Sequence, residues 1–158
     1  MIETIKSIGS IVGLLAGIFV VFDRYMRGRP IATLSFPVEN DRPSARLRIS
    51  NVGQHDVAIM GISVSGDVYR LADDMQTDSI IRATMGRKQF FTMKPNETRE
   101  LFLISRVVNG LPLEVTPQRI TFTILWRRCN STWLPQIPVF IFSDTKTIQK
   151  FGLKRDDG

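Results

Sequence analysis

A long uncharged segment near the amino terminus constrains the fold of this chain more than any other feature. Residues 7–22 read SIGSIVGLLAGIFVVF and contain no charged side chain. The next seven residues, 23–29, include three arginines. A segment of this composition is typical of a membrane-spanning helix, so it determines which solvent surrounds the first part of the chain.

The length of the segment predicts one transmembrane helix. The window from Ile2 to Phe22 has 21 residues, and its two charged residues, Glu3 and Lys6, both lie in the first two turns. A spanning helix needs about 20 mostly apolar residues. A cleaved signal peptide fits less well, because bulky residues rather than a small-residue cleavage site follow the apolar stretch.

Charges on either side of the span predict its orientation. Arg24, Arg27 and Arg29 follow the span, and an excess of arginine marks the cytoplasmic side. Tyr25 stands where an interfacial aromatic residue would lie. The single cysteine, Cys129, agrees with a reducing compartment. We therefore expect a single-pass protein of the cell inner membrane with its carboxy-terminal domain in the cytoplasm.

Small residues follow one face of the predicted helix. Gly9, Gly13 and Gly17 recur at every fourth position and so lie along one stripe. Helices in lipid associate by close backbone approach, which small residues permit. We expect this stripe to hold copies of the chain together as a homo-oligomer. No ionisable residue in the apolar core marks an ion pathway.

From Gly28 onward the pattern changes to short strands separated by turns. In the clearest strand, Ile120, Phe122, Ile124 and Trp126 alternate with threonines and other residues. Some seven or eight strands with intervening turn signals indicate a mainly β fold, a β-sandwich or alternatively a small β-barrel. The predicted strands cover residues 31–36, 45–50, 57–66, 67–71, 89–93, 99–105, 119–127 and 137–142.

These patterns divide the chain into three predicted parts. Residues 1–29 form the transmembrane helix and a basic juxtamembrane segment, 30–143 the sandwich, and 144–158 a short helix with a charged tail. Ser143 or Asp144 is suited to cap that helix. The segment 71–88 is not strand-like and predicts either a helix or a long loop, a common location for function.

One segment resembles a known family. Residues 47–66 read LRISNVGQHDVAIMGISVSG, which resembles the strand–turn–strand unit of bacterial immunoglobulin-like sandwiches of the CARDB kind, where an NxG turn joins two core strands. The resemblance implies an immunoglobulin-like sandwich behind the membrane anchor, and it implies no activity. A Cys–Trp–Cys core like that of antibody domains is excluded because the chain has one cysteine.

The residues that usually carry catalysis are scarce. The only histidine, His55, lies in a predicted turn, where a solvated side chain is the better interpretation. Cys129 stands beside Arg128, and nearby arginines can lower a thiol pKa, but the sequence offers it no base, so an incidental thiol is the better interpretation. Histidine and cysteine residues at metal-ligand spacing are absent. We expect neither an enzyme nor a cofactor or metal.

Basic residues are the more informative group. The chain has 15 arginines and 6 lysines and a net charge of +6, and arginine suits planar contacts to phosphate or carboxylate. Besides the juxtamembrane arginines, the candidate contacts for anionic lipid or ligand are Arg46, Arg48, Arg87, Lys88, Arg127 and Arg128. Arg46 and Arg48 share a strand face opposite Leu47, so the sequence predicts that both are exposed.

Several partners remain open for these basic residues. They are an anionic leaflet of membrane lipid, a pocket for an anionic small molecule such as a nucleotide, or a protein partner. No motif supports binding to nucleic acid. The first hypothesis is a non-enzymatic membrane protein whose cytoplasmic sandwich binds a partner or ligand. The alternative, by analogy with small bacterial antiphage effectors, is membrane disruption gated by a nucleotide-like ligand.

Overall fold

The structure is a computed structural model that describes most of the chain. It describes residues 2–152 except 40–41, 67, 77–78, 82–89, 106, 109–110, 113–117, 132 and 134. The side chains of residues 2–9, 39, 42–43, 107–108, 111–112 and 151–152 lie outside the description as well.

Within these ranges, one long helix precedes the strands and one short helix follows them, and residues 79–81 are helical between the sixth and seventh of the twelve strands. The long helix is α1 (Ile2–Met26) and the short helix is α2 (Thr145–Gly152). The strands are β1 (Ile31–Ser35), β2 (Val38–Glu39), β3 (Arg42–Pro43), β4 (Arg46–Ser50), β5 (Val57–Val64), β6 (Tyr69–Ala72), β7 (Phe91–Met93), β8 (Thr98–Ser105), β9 (Val107–Val108), β10 (Leu111–Pro112), β11 (Arg119–Arg128) and β12 (Ile137–Asp144). All eight strands expected from the sequence are present, and the short pairs β2–β3 and β9–β10 were not foreseen.

The long strands form two antiparallel four-stranded sheets. The first sheet has the order β1-β4-β8-β6, and the second has the order β12-β11-β5-β7. An immunoglobulin-type sandwich has strands A, B, E and D in one sheet and C, F and G in the other. Strands β1, β4, β8 and β6 match the first set, and β12, β11 and β5 match the second, with β7 added beside β5. The described strands therefore form a mainly β, immunoglobulin-like sandwich rather than a single closed barrel.

One hydrophobic core lies between the sheets. The alternation predicted in β11 is confirmed, because Ile120, Phe122, Ile124 and Trp126 are all 0% exposed. They pack in the same cluster as Leu47 and other residues of the first sheet. Burial of these side chains is the main stabilising contribution, at about 1.5–3 kcal/mol for each large apolar side chain.

The turn between β4 and β5 is built around a buried side chain. Asn51 is 0% exposed, and its Nδ2 donates to the carbonyls of His55 (2.9 Å) and Met93 (3.1 Å). Its Oδ1 accepts a hydrogen bond from the backbone N–H of Gly53 at 3.1 Å. These bonds fix the predicted strand–turn–strand unit, in which β4 and β5 belong to different sheets.

The helix α1 is 25 residues long and leaves its apolar side chains uncovered. Every residue from 10 to 22 is exposed, including Leu14 at 65% and Phe19 at 69%. In the part of the chain that the structure describes, no helix combines the length and the hydropathy needed to cross a membrane. The transmembrane span stays a prediction.

The expected helix after β12 is present as α2, and Asp144 caps it. The Asp144 carboxylate accepts hydrogen bonds from the backbone N–H of Thr147 (2.6 Å) and from its hydroxyl group (2.9 Å). This is the contact by which an aspartate satisfies the free N–H groups of a first helical turn. Ile148 of α2 is buried in the core. Of the segment 71–88, residues 77–78 and 82–88 lie outside the described residues.

Candidate functional site

The last turn of α1 is part of the core of the sandwich. Tyr25 is 5% exposed, and its ring stacks on that of Trp126 with centroids 5.2 Å apart and 12° between the planes. Met26 packs against the same cluster. The expectation that Tyr25 is an interfacial aromatic residue is wrong, because β11 supplies an aromatic surface that buries its ring.

An arginine from β11 closes the end of α1. The Arg128 guanidinium donates through Nη2 to the backbone carbonyls of Arg24 and Tyr25, the second at 3.0 Å. It also lies over the Tyr25 ring, 5.0 Å from the centroid. The last carbonyls of a helix have no partners within it and carry a partial negative charge, so a cation there is stabilising. We call the contacts of Tyr25, Trp126 and Arg128 the helix junction.

Two glycines let the chain pass closely between the helix junction and the β4–β5 turn. A Cβ atom placed on Gly28 would lie 2.8 Å from Nη2 of Arg128. A Cβ atom placed on Gly53 would lie 3.1 Å from the carbonyl oxygen of Gly28. The absence of side chains at these two positions therefore allows the linker after α1 to contact both Arg128 and the turn.

An apolar groove of about 620 Å³ lies beside the helix junction. One wall is the face of α1 that runs from Gly13 through Gly17 to Tyr25, and the other contains Trp133 and Pro135 of the β11–β12 loop. Trp133 is 76% exposed. We call this feature the α1 groove.

The glycines expected to hold helices together fall partly on this groove. Gly13 and Gly17 line it, and a Cβ atom on either would meet no atom within 4 Å. Gly9 belongs to α1, but its surroundings lie outside the description. Association of helices through the three glycines stays a prediction.

The juxtamembrane arginines stand at the junction end of α1. Arg24, Arg27 and Arg29 are exposed. Arg27 forms an i,i+4 ion pair with Asp23 at 2.8 Å, and such exposed pairs contribute little to stability. Of the candidate arginines, Arg24 and Arg128 are brought together, because the Arg128 side chain binds the Arg24 carbonyl.

The prediction that Arg46 and Arg48 are both exposed is wrong for Arg46. Arg48 is exposed, whereas Arg46 is 8% exposed. The Arg46 guanidinium contacts Glu100 at 3.0 Å and lies over the Phe102 ring at 4.5 Å. Neighbouring side chains on β8 therefore cover it, and Arg46 is part of the packing of the first sheet. A role of Arg48 in binding stays a prediction.

The basic residues do not converge on one pocket in the described residues. Arg46 begins β4, at the end of that strand away from the turn at Asn51, whereas Arg128 pairs with Val57 just after the same turn. Arg127 is half-buried beside Arg128. Arg87 and Lys88 lie outside the described residues.

The chemistry of the two candidate reactive side chains is unremarkable. His55 is exposed in its turn. Burial and the nearby Asp56 carboxylate raise the pKa of Cys129, and Arg127 opposes them only in part. Across the described ranges, no group of three or more His, Cys, Asp or Glu side chains is placed to hold a metal ion.

Sequence patterns did not indicate the helix junction. Tyr25 and Arg128 are separated by 103 residues, and no local spacing relates them. The apolar composition of 7–22 was the one strong signal for this region.

Comparisons with known proteins give no family. No family model matches the sequence, and no curated protein matches it. Among solved structures, the ASH/PapD-like domain 7 of human CEP192 is similar, with a TM-score of 0.36 and 7% sequence identity over 74% of this chain and 71% of that one. A TM-score this low adds no support to the two-sheet architecture, which rests on the strand pairing alone. Kinship with CARDB sandwiches stays a prediction.

Proposed function

We propose that this chain is a non-enzymatic, single-pass membrane protein whose α1 anchors a sandwich that binds a partner or ligand. The observation that carries the proposal is the exposure of α1. Nine large apolar side chains between Ile11 and Phe22 are more than half exposed. Soluble monomers rarely expose a contiguous apolar patch larger than a few hundred Å². A bilayer would cover all sides of such a helix at once.

The length of α1 is compatible with this role. Its 25 residues rise about 37 Å at 1.5 Å per residue, and the hydrocarbon core of a bilayer is about 30 Å thick. Residues 2–9, whose side chains are not described, are needed to complete the span. Their sequence adds Glu3 and Lys6, and a lysine near the end of a span can extend its long side chain to the headgroups.

The proposed location is the cell inner membrane with the sandwich in the cytoplasm. Arg24, Arg27 and Arg29 support this orientation, since they are exposed beside the end of α1 that enters the sandwich. In this orientation the sandwich offers an exposed aromatic pair to a partner. Phe140 and Phe142 of β12 are 53% and 59% exposed and stack on each other at 6.4 Å.

Membrane extraction tests the anchor. The full chain should remain with the membrane after alkaline carbonate treatment, and a chain that begins at Asp23 should be released. This truncation keeps Tyr25, so the core of the sandwich is retained. Replacing Leu15 and Ile18 together by arginine should also release the full chain, because each arginine at a helix centre costs about 2.5–3.5 kcal/mol. Release of the unmodified chain would refute the anchor.

Carboxy-terminal fusions test the orientation. A fluorescent protein fused after Gly158 should fluoresce, and alkaline phosphatase at the same place should be inactive. The opposite pair of results would place the sandwich outside the cytoplasm. A loss of membrane potential on expression of the full chain would favour membrane disruption over the proposed function, because an anchored binding protein leaves the potential unchanged.

A further inference from the structure

We infer that the α1 groove binds one acyl chain of an anionic phospholipid of the surrounding bilayer, with the lipid phosphate beside Arg24. The inference rests on the proposed function, because it needs α1 to stand in a membrane. Membrane anchoring by α1 does not by itself require the groove, and the inference assigns a class of ligand to it.

The groove is better suited to a hydrocarbon chain than to a second helix because it has two walls. Its wall opposite the glycines is formed by Trp133 and Pro135 of the same chain, so a second helix would meet that wall before it reached the glycines.

The lining of the groove is apolar over its length. Gly13 and Gly17 open the helix surface, because no atom lies within 4 Å of a Cβ placed on either. Val21 and Ile18 continue the α1 wall, and the largely exposed Trp133 ring stands across from them. Tryptophan is enriched where a membrane meets water. A bound acyl chain would cover the ring face and the glycine surface together.

Positive charge stands at one end of the same helix face. Gly17, Val21 and Arg24 are spaced i, i+4 and i+7, so they follow one stripe of α1. Arg24 is exposed, and Arg29 follows it within the basic segment. Each basic residue near an anionic leaflet gains about 1 kcal/mol. The face therefore joins an apolar groove to a cationic end, which matches the two parts of an anionic phospholipid.

Fluorescence quenching tests the site on the full chain in vesicles. The probes are phosphatidylglycerol and phosphatidylcholine, each with brominated acyl chains, added at equal mole fraction to unlabelled phosphatidylcholine. Brominated phosphatidylglycerol should quench tryptophan fluorescence more strongly than brominated phosphatidylcholine. Trp133→Phe should remove this quenching, because the remaining Trp126 is 0% exposed in the core.

Three variants distinguish binding of the acyl chain in the groove from binding of the phosphate beside Arg24. Gly17→Ile fills the groove and should weaken quenching by both lipids. Ala16→Ile adds similar bulk on the opposite face of α1 and should change nothing. Arg24→Gln should reduce the preference for phosphatidylglycerol about fivefold, as expected for the loss of one basic residue near the surface, while quenching by phosphatidylcholine remains.

Experiments with the same vesicles distinguish failure of the lipid site from failure of the membrane anchor. Flotation with phosphatidylcholine vesicles reports membrane insertion without anionic lipid. Flotation with equal quenching by both probes would overturn the lipid site and leave the anchor. Failure to float would overturn both. Energy transfer between labelled copies that Gly17→Ile abolishes, with quenching unchanged, would show that a second helix occupies the groove and would also overturn the lipid site.

Discussion

The ring of Tyr25 stacks on the ring of Trp126, with the ring centroids 5.2 Å apart. Tyr25 belongs to the last turn of α1, whereas Trp126 belongs to β11, a middle strand of the second sheet. Both rings are buried. The end of the helix is therefore built into the hydrophobic core, and the direction of α1 depends on the packing of the sandwich. A change at this contact should affect the stability of the sandwich as well as the attachment of the helix.

Replacing Tyr25 by alanine should destabilise the sandwich by about 3 kcal/mol, because it leaves a cavity against the Trp126 ring. Tyr25→Phe keeps the ring and loses only a long hydrogen bond of 3.4 Å from the Arg128 backbone N–H, so it should cost less than about 1 kcal/mol. Urea unfolding of the full chain in detergent micelles, followed by near-UV circular dichroism, measures both. Equal losses for the two variants would show that the hydroxyl group matters more than the stacking.

Replacing Gly28 by alanine should destabilise the helix junction by about 1–2 kcal/mol, because the added Cβ would lie 2.8 Å from Nη2 of Arg128. The guanidinium cannot move away without giving up the carbonyls that it binds at the end of α1. Gly61→Ala is the control, since a Cβ there meets no atom within 4 Å.

A double-mutant cycle identifies the cause of the Gly28→Ala loss. In an Arg128→Ala background, Gly28→Ala should cost little, because the atoms that it would meet are gone. The same loss in both backgrounds would mean that the linker backbone, rather than the arginine, resists the methyl group. The free energies of unfolding in urea provide the four values of the cycle.

Replacing Arg46 and Arg48 separately by alanine should give unequal losses. Arg46→Ala should destabilise the sandwich by about 1–3 kcal/mol, because it removes the contacts of a buried guanidinium with Glu100 and Phe102. Arg48→Ala should stay within about 0.5 kcal/mol, as is usual for an exposed side chain. Thermal unfolding of the full chain measures both, and a larger loss for Arg48→Ala would contradict the packing of β4.

The β4 strand shows what a sequence pattern can and cannot predict. Alternation correctly assigned Leu47 and Ile49 to the core and the two arginines to the other face. It could not predict that Arg46 is covered, because the covering residues come from β8, more than 50 residues later. A period of two determines which face a side chain occupies, whereas its burial depends on the neighbouring strand.

The candidate site was likewise predictable from the sequence only in part. The apolar composition of residues 7–22 identified the exposed helix, and small residues at every fourth position identified the face that lines the groove. The helix junction was not predictable, since Tyr25 meets Arg128 only after the sheets have formed. The groove wall from the β11–β12 loop was also missed, because tertiary packing alone brings Trp133 to the groove that Gly17 lines.

Cys129 should react slowly with iodoacetamide at pH 8. Its pKa is raised by burial and by the Asp56 carboxylate, so a smaller fraction is present as the reactive thiolate than in an exposed peptide cysteine. Asp56→Asn removes the negative charge and should increase the rate. Mass spectrometry of timed samples of the full chain measures the rates, and a rate equal to that of a cysteine peptide would contradict the raised pKa.

The Asp144 cap should make the stability of the sandwich depend on acid pH. Hydrogen bonds from Thr147 lower the pKa of the Asp144 carboxyl group, so the carboxylate binds a proton less readily in the folded chain than in the unfolded chain. Its stabilising effect is fully present above the unfolded pKa of about 3.9 and is lost as the pH falls through the lower folded value. Asp144→Asn keeps a good cap but does not titrate. Between pH 7 and pH 2, the unfolding free energy of the wild-type chain should therefore fall more than that of the variant, and parallel curves would contradict the cap.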